Sequence, residues 1–110
     1  MNNVNLVGRL AKDPETRNAG NTDVTTIIVA TDRIKLKDGK SYKGEDGFTA
    51  KETEFHKVTC FNGLGRAVAG NRKKGDVVAV QGRLHYTRWQ DGQGNDRYGC
   101  EIIAEKVDFI

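Results

Sequence analysis

The amino-acid sequence predicts an all-β domain in which one short helix separates three strands from two. Five segments are rich in β-branched residues or alternate between apolar and polar side chains, and turn residues separate them. Only residues 62–72 carry apolar side chains at the i, i+3 and i+4 spacing of a helix. The order β-β-β-α-β-β is that of a five-stranded Greek-key OB-fold barrel with its helix between the third and fourth strands. The 110 residues are the length of one domain.

The first two predicted strands cover residues 2–10 and 24–31. Residues 2–10 alternate, which predicts a strand with one buried face. Pro14 ends this run because proline cannot pair within a central strand, and residues 17–23 are typical of a polar turn. Residues 24–31 are β-branched almost throughout, which favours a strand. The apolar face of the first strand comprises Val4, Leu6, Gly8 and Leu10.

The third predicted strand, residues 53–61, has two faces of different chemistry. In one interpretation its two phenylalanines belong to the core and Lys57 extends its ammonium group to solvent. In the other they form an open stacking face, and Val58 and Cys60 supply the core. Periodicity does not distinguish the two. One face comprises Phe55, Lys57, Thr59 and Phe61; the other comprises His56, Val58 and Cys60.

The predicted helix begins at Asn62, a preferred N-cap residue. Three glycines lower its intrinsic helix propensity. Lys73 and Lys74 follow at the negative end of the helix dipole, and Gly75 fits the position just past a helix end. The apolar stripe consists of Leu64, Ala67 and Val68.

The fourth predicted strand, residues 76–89, is too long to lie wholly in a barrel. Its apolar alternation stops at Leu84, and a turn at residues 91–96 leads into a returning strand whose change of parity between Ala104 and Val107 predicts a bulge. Residues 83–98, the arm, therefore leave the core. Cations supply charge for phosphates and aromatic rings stack on bases, so the arm suits single-stranded nucleic acid; the alternative is a surface hairpin whose tryptophan caps the core edge. The arm carries Arg83, His85, Tyr86, Arg88, Trp89, Arg97 and Tyr98.

Residues 32–52, the flap, have no steady period and are punctuated by glycines. A loop of this length in a small domain is usually functional or mobile. We predict either a solvated hairpin tip or a basic cover over a polyanion, with Tyr42 as a stacking residue. Its cations include Arg33, Lys35, Lys37, Lys40 and Lys43, against one acid, Asp38, within residues 33–43.

Composition excludes several classes of protein. The net charge of +3 is a mild basic excess that favours a polyanionic partner. Cys60 and Cys100 are isolated and lie at apolar positions, which predicts buried, reduced thiols. Neither they nor the two histidines show metal-ligand spacing, and no cofactor or catalytic motif is present. Without a signal peptide or membrane span, a cytoplasmic, nucleoid-associated protein is expected.

The sequence resembles the bacterial single-stranded DNA-binding proteins over nearly its whole length. The opening segment and the Thr-Glu-aromatic-His block are specific when they occur together in this order. The resemblance rests on residues 3–17, on Thr53–Val58 with Phe61, and on residues 73–75, 81–84 and 89–98.

The resemblance implies a protein that binds and protects single-stranded DNA during replication, recombination and repair, without catalysis or a cofactor. It implies base stacking on Phe55, Phe61 and Trp89. Cations that meet phosphates would lie at Lys57, Lys73, Lys74 and Arg88. Together with the arm and the flap, the expected DNA-binding set also includes Tyr86, Arg97, Tyr42, Lys35 and Lys37.

The resemblance also implies a homotetramer made of two dimers, joined through the first strand. The less apolar face of that strand has little charge to protect its edge, and unprotected edges pair with other chains. Members of the family carry an acidic, glycine-rich tail that recruits replication and repair enzymes. Residues 107–110 lie in the last predicted strand, so tail-mediated partners are doubtful for this sequence. The expected interface residues are Val4, Asn5, Leu6, Val7 and His56.

Two other functions fit the same fold. A primosomal protein-interaction module would need few stacking residues, so the presence of Phe55, Phe61 and Trp89 argues against it. An RNA-binding domain of the cold-shock type fits the helix and the long flap less well.

Overall fold

The computed structural model describes residues 1–110, in which eight strands and one helix form a barrel with two hairpin extensions. Five of the strands close into the barrel, because the sheet order β1-β7-β8-β6-β3 returns from β3 to β1. The predicted OB-fold barrel with its helix before the fourth barrel strand is thus confirmed. The elements are β1 (Val4–Leu10), β2 (Glu15–Ala19), β3 (Thr22–Ile34), β4 (Leu36–Lys37), β5 (Lys40–Ser41), β6 (Lys51–Phe61), α1 (Asn62–Asn71), β7 (Val77–Gln90) and β8 (Asp96–Phe109).

The core lies inside the barrel and is built from one face of each barrel strand. Branched aliphatic residues dominate it, since they pack well on a pleated surface. Val68 of α1 closes one end of the barrel. Gly65 lets the helix approach the sheet, because a Cβ atom there would lie 2.5 Å from Thr25 Oγ1. The core residues include Leu10, Ile27, Val29, Val58, Cys60, Val78, Val80 and Ile102.

The prediction of a polar turn at residues 17–23 was wrong. Glu15–Ala19 form β2, an exposed strand that pairs with the first half of β3, and only Gly20 and Asn21 make the turn. The sequence of β2 has no apolar alternation because the strand adds to the barrel edge without reaching the core. Thr16 supplies its one side-chain hydrogen bond towards the core, at 2.9 Å to Thr25.

The predicted helix ends were also wrong. Asn62 is the first helical residue, with a positive φ of 51°, and its side-chain oxygen accepts a hydrogen bond from the Asp23 N–H instead of capping the helix. The helix ends at Asn71, and Gly75 lies in a separate turn where its φ of 92° suits glycine. The Gly75 N–H donates to the Leu10 carbonyl, so this turn joins β1 to β7.

The cysteines differ from the prediction in one case. Cys60 is fully buried, and burial raises the pKa of its thiol to about 11. Cys100 is exposed, because it lies on the arm side of β8 where the barrel no longer covers that face.

The arm and the flap extend from different pairs of strands. In the arm, β7 and β8 remain paired out to Gln90 and Asp96. The predicted bulge is confirmed, since the β7–β8 register shifts between Gln81 and Gly82, opposite Ala104 to Lys106. The flap continues β3 and β6 and ends in the small β4–β5 hairpin, whose turn residues Asp38 and Gly39 both have positive φ.

Candidate nucleic-acid interface

The outer face of β6 is open. Phe55 is 65% exposed and Phe61 is 42% exposed, with Lys57 between them, whereas Val58 and Cys60 are fully buried. Of the two interpretations left by the sequence, the structure therefore supports the open face. The alternation of a strand puts the three exposed side chains on the same side of the sheet. This surface offers two ring faces and a cation to a ligand.

Trp89 lies on the same side of the sheet as this open face. Its partner in the register is Arg97, and its ring packs over Gly99, where an added Cβ atom would lie 3.1 Å from the indole. Because Gly99 has no side chain, the indole packs directly against the backbone of β8. Trp89 remains 51% exposed, so one part of the ring is held and the rest faces solvent. Such a ring is well ordered for stacking.

The other face of the arm carries a second aromatic group. Tyr86 and Tyr98 are both mainly exposed, and Arg88 is the cross-strand partner of Tyr98, its guanidinium 5.9 Å from the centre of that ring. Register and alternation put these three residues on the side opposite Trp89. The sequence indicated one mixed surface, whereas the structure divides its side chains between two faces.

Both arginines near the tip of the arm are paired with acids. Arg88 donates to Asp96 at 2.8 Å, and Arg97 donates to Asp91 at 3.0 Å. Backbone N–H groups of Asn95 and Gln93, together with Arg97, hold the pKa of the Asp91 carboxyl below its usual value. These pairs order the tip but leave little uncompensated charge for phosphates.

In the flap, unlike the tip of the arm, most cations have no acidic partner. Only Arg33 is neutralised, by ion pairs with Glu52 and Glu54 at the base of the flap. Beyond the base, every lysine is exposed and forms no ion pair. These unpaired lysines are Lys35, Lys37, Lys40, Lys43 and Lys51.

Phe48 is a flap residue that the sequence analysis missed. It is 75% exposed, against 38% for Tyr42, and together with Lys35 and Lys51 it lines a surface depression of about 700 Å³. Its backbone is held by the Asp46 side chain and by Gly44. An isolated phenylalanine in a glycine-rich polar loop was the available signal, since nothing in that loop could bury it.

Lys73 and Lys74 are both exposed at the turn that follows α1. The Asp13 side chain accepts the Lys74 N–H at 2.8 Å and so ties this turn to the loop after β1. That loop also holds Lys12, which lines a cleft of about 490 Å³ on the outer sheet face together with Arg17 and Lys57. Basic side chains thus continue from the open face to the turn, with Lys12 paired to Glu15 at 3.2 Å. Sequence reasoning did not identify Lys12 and Arg17.

The first strand leaves part of one edge unpaired. β1 pairs with β7 from Val4 to Arg9, but on its other side it meets β3 only at Arg9 and Leu10. Val4 and Leu6 point inward against the core, whereas Asn5 and Val7 are exposed.

His56 lies close to this edge, although it belongs to β6. Its Nε2 is 2.8 Å from Thr31 Oγ1, and Thr31 lines the same small cleft as Val7 and Gly8. Of the interface residues expected from the sequence, His56 thus reaches through Thr31 the cleft that Val7 lines, whereas Val4 and Leu6 face the core.

The described chain contains no group of three metal-ligating side chains and no helix long and apolar enough to cross a membrane. The fold and the open aromatic face define a class, the OB-fold proteins that bind single strands.

Comparison with known proteins agrees with this class. The family model described as "Single-strand binding protein family" matches residues 1–110. The chain is 35% identical to single-stranded DNA-binding protein 1 of Xylella fastidiosa and 33% identical to the single-stranded DNA-binding protein of Clostridium tetani. Each match covers all of this chain, and they cover 77% and 70% of the respective relatives. A crystal structure of a deletion mutant of the single-stranded DNA-binding protein from Thermus aquaticus superposes with a TM-score of 0.77 at 21% identity, covering all of this chain and 50% of that one.

The chain belongs to the single-strand binding protein family. Binding of single-stranded DNA is accordingly its function, and proteins of this family are not enzymes.

Proposed function

We propose that the chain binds single-stranded DNA without sequence preference by stacking bases on the outer sheet face. The carrying observation is that Phe55, Phe61 and Trp89 are exposed on one side of one sheet. Each ring offers a π-face that any base can cover, which is why such stacking tolerates all sequences. Tyr86 is proposed to stack on the opposite side of the arm, so a long strand would have to cross the arm to reach both faces.

Phosphate contacts come from cations around this face. The unpaired lysines of the flap, including Lys35 and Lys37, and the turn with Lys73 and Lys74 are the main contributors, because none of them forms an ion pair within the chain. Lys57, Arg88 and Arg97 contribute less, since each already has an acidic partner. In the flap, Tyr42 and the more exposed Phe48 are the aromatic side chains that a base can reach.

The single tryptophan provides a direct test of this binding. Adding oligo-dT should quench the fluorescence of Trp89, the only indole in the chain, since a stacked base alters its surroundings. Binding should be weaker in Phe55→Ala than in the parent by roughly ten- to a hundredfold. An RNA oligomer of matched length serves as the competitor. Unchanged fluorescence at saturating oligo-dT would contradict the proposal, and stronger competition by RNA would favour an RNA-binding domain.

Assembly is part of the proposal. Two β1 strands that meet edge to edge about a two-fold axis would satisfy the backbone groups left unpaired at residues 4–8, with Asn5 and Val7 at the contact and His56 beside it. Two such dimers would give a tetramer of four chains of 12.2 kDa. A strand that wraps around four chains gains affinity through effective concentration.

Val7→Asp tests this assembly. A charge at the paired edge should dissociate the assembly and weaken binding to long oligomers far more than to short ones. Analytical ultracentrifugation of both proteins gives the mass directly. A parent that sediments as a monomer at micromolar concentration would contradict the tetramer and leave the stacking proposal intact.

The chain is proposed to act as one domain over residues 1–110 and to work in the cytoplasm on the nucleoid. Both statements extend from the family, whose substrate is exposed when chromosomal strands separate. Fluorescence microscopy of a tagged chain tests the second: a signal that does not overlap the nucleoid would contradict it.

A further inference from the structure

Where β6, β7 and β8 form the outer sheet face, one acid lies among the aromatic and basic side chains. Alternation and register put Glu101 on this face, opposite His85 and beside Lys57. Among the outward positions of residues 53–61, 83–89 and 97–103, no other residue is acidic. Its side chain is only 16% exposed, so the carboxylate lies low on the sheet among larger neighbours. An acid at this position is unexpected on a surface that meets phosphates.

Two contacts hold the carboxylate in place. Thr59 Oγ1 donates to Glu101 Oε2 at 3.0 Å, and the same oxygen lies 3.5 Å from Lys57 Nζ. Thr59 is itself buried, which fixes the direction of its hydroxyl. Glu101 also lines a small depression of about 160 Å³ with Phe55 and Lys57. The parallel pairing of β6 and β8 involves only two residue pairs, so the strands separate beside this point.

We propose that Glu101 takes the place of a DNA phosphate beside Lys57 and limits how tightly the strand is held. This inference rests on the proposed function of the face. A carboxylate and a phosphate offer the same kind of anionic acceptor oxygens to an ammonium group. A strand that brings a phosphate to Lys57 has to share it with Glu101 or displace the carboxylate, and the two anions repel each other. The internal anion therefore lowers affinity and favours release of the strand.

Glu101→Gln tests the inference, because the amide keeps an oxygen that accepts from Thr59 while it removes the charge. The variant should bind oligo-dT about threefold more tightly at low salt, the size expected for freeing one partly exposed ion pair. The dependence of log K on log salt should become steeper by about 0.7, which corresponds to one additional phosphate contact on a single strand. Filter binding or fluorescence anisotropy over a salt series measures both quantities.

Glu105→Gln is the matched control. Glu105 lies at the bulge of the same strand, is exposed and has no ion pair, so the substitution changes the net charge equally. A second control combines Glu101→Gln with Lys57→Met. This double variant should bind oligo-dT no more tightly than Lys57→Met alone.

Equal gains in affinity from Glu105→Gln and Glu101→Gln would overturn the inference, because the effect would then be one of general charge. Weaker binding by Glu101→Gln with an unchanged slope would overturn it too and assign Glu101 to positioning Lys57 for DNA. Quenching of Trp89 fluorescence by oligo-dT is measured separately in the parent. Failure of the proposed DNA binding can therefore be distinguished from failure of the inference about Glu101.

Discussion

The arm and the flap are both hairpins that extend from the barrel, but their surfaces differ in charge. Near the tip of the arm, Arg88 and Arg97 are each bound by an aspartate. Beyond the base of the flap, the lysines have no acidic partner. An ion pair within the chain must be disturbed before its cation can neutralise a phosphate, whereas a free lysine meets the phosphate directly and releases counterions from the DNA. The comparison indicates that the arm contributes mainly stacking and the flap mainly phosphate contacts.

The two hairpins also differ in how their aromatic residues are held. Trp89 rests on Gly99 within a long, regular strand pair. Phe48 projects from a short loop that is held by a few turn hydrogen bonds. A ring that is already ordered loses less conformational entropy when a base stacks on it. Stacking on the arm should therefore be worth more than stacking on the flap.

The largest expected effect is that of Trp89→Ala. The variant should bind oligo-dT roughly ten- to a hundredfold more weakly than the parent, because it loses about 1–3 kcal/mol of stacking, a general range for proteins that bind single strands, this family among them. Anisotropy of a labelled oligomer measures the affinity, since the intrinsic tryptophan signal is absent from the variant. Phe48→Ala is the matched flap variant and should weaken binding less. A larger effect of Phe48→Ala would reverse the assignment of stacking to the arm.

Next in size is the effect of removing charge from the flap. Replacing Lys35 and Lys37 together with alanine should flatten the slope of log K against log salt by up to about 1.4, at about 0.7 for each phosphate that the chain no longer neutralises. A salt titration of oligo-dT binding provides the slope. The same double substitution at Lys73 and Lys74 serves as a comparison outside both hairpins, with a flattening of about one unit. A slope that does not change in the flap variant would show that the flap is only a solvated tip.

A smaller change is expected from the arginines of the arm. Arg88→Gln with Arg97→Gln should flatten the salt slope by less than the flap pair does, because both cations are already neutralised by Asp96 and Asp91. Salt titrations of the two double variants under the same conditions measure the difference. Equal flattening would mean that the DNA displaces both aspartates, and the contrast in charge between the hairpins would not carry over to binding.

The smallest effect concerns the pH dependence of the arm tip. Because the pKa of Asp91 is lowered in the folded chain, its ionised form stabilises the tip at pH above the unfolded carboxyl pKa. This contribution disappears as the pH falls through the lowered pKa, so the tip should loosen only in acid. Amide hydrogen exchange at Gln93 and Asn95, whose N–H groups bind Asp91, measures it. In Asp91→Asn the exchange should lose this acid dependence; if the parent shows none, Asp91 does not control the tip.

The sequence by itself determined the barrel and the existence of the arm. Period-two alternation in residues 2–10 and 76–84 specifies strands with one buried face, and the loss of alternation after Leu84 specifies that the hairpin leaves the core. The bulge in β8 was also readable, since a change of parity within one strand has few other causes. These features are local, and each depends on a few consecutive residues.

Only the tertiary structure decided which face of β6 is open, because alternation defines two faces without saying which one the barrel encloses. Closure of β3, β6 and β8 around Val58 and Cys60 left Phe55 outside. Strand β2 was missed for a related reason: its pairing with β3 uses backbone groups, and its side chains carry no apolar pattern.

Tertiary contacts also decided which cations are free to bind DNA phosphates. The sequence showed cations on both the arm and the flap, but an arginine is neutralised only when folding brings an acid beside it, as Asp96 lies beside Arg88. Glu101 and Lys57 are distant in the sequence and meet only because β6 and β8 run parallel at the centre of the barrel. Side-chain pairing between distant strands depends on register, and register is set by the closed sheet as a whole.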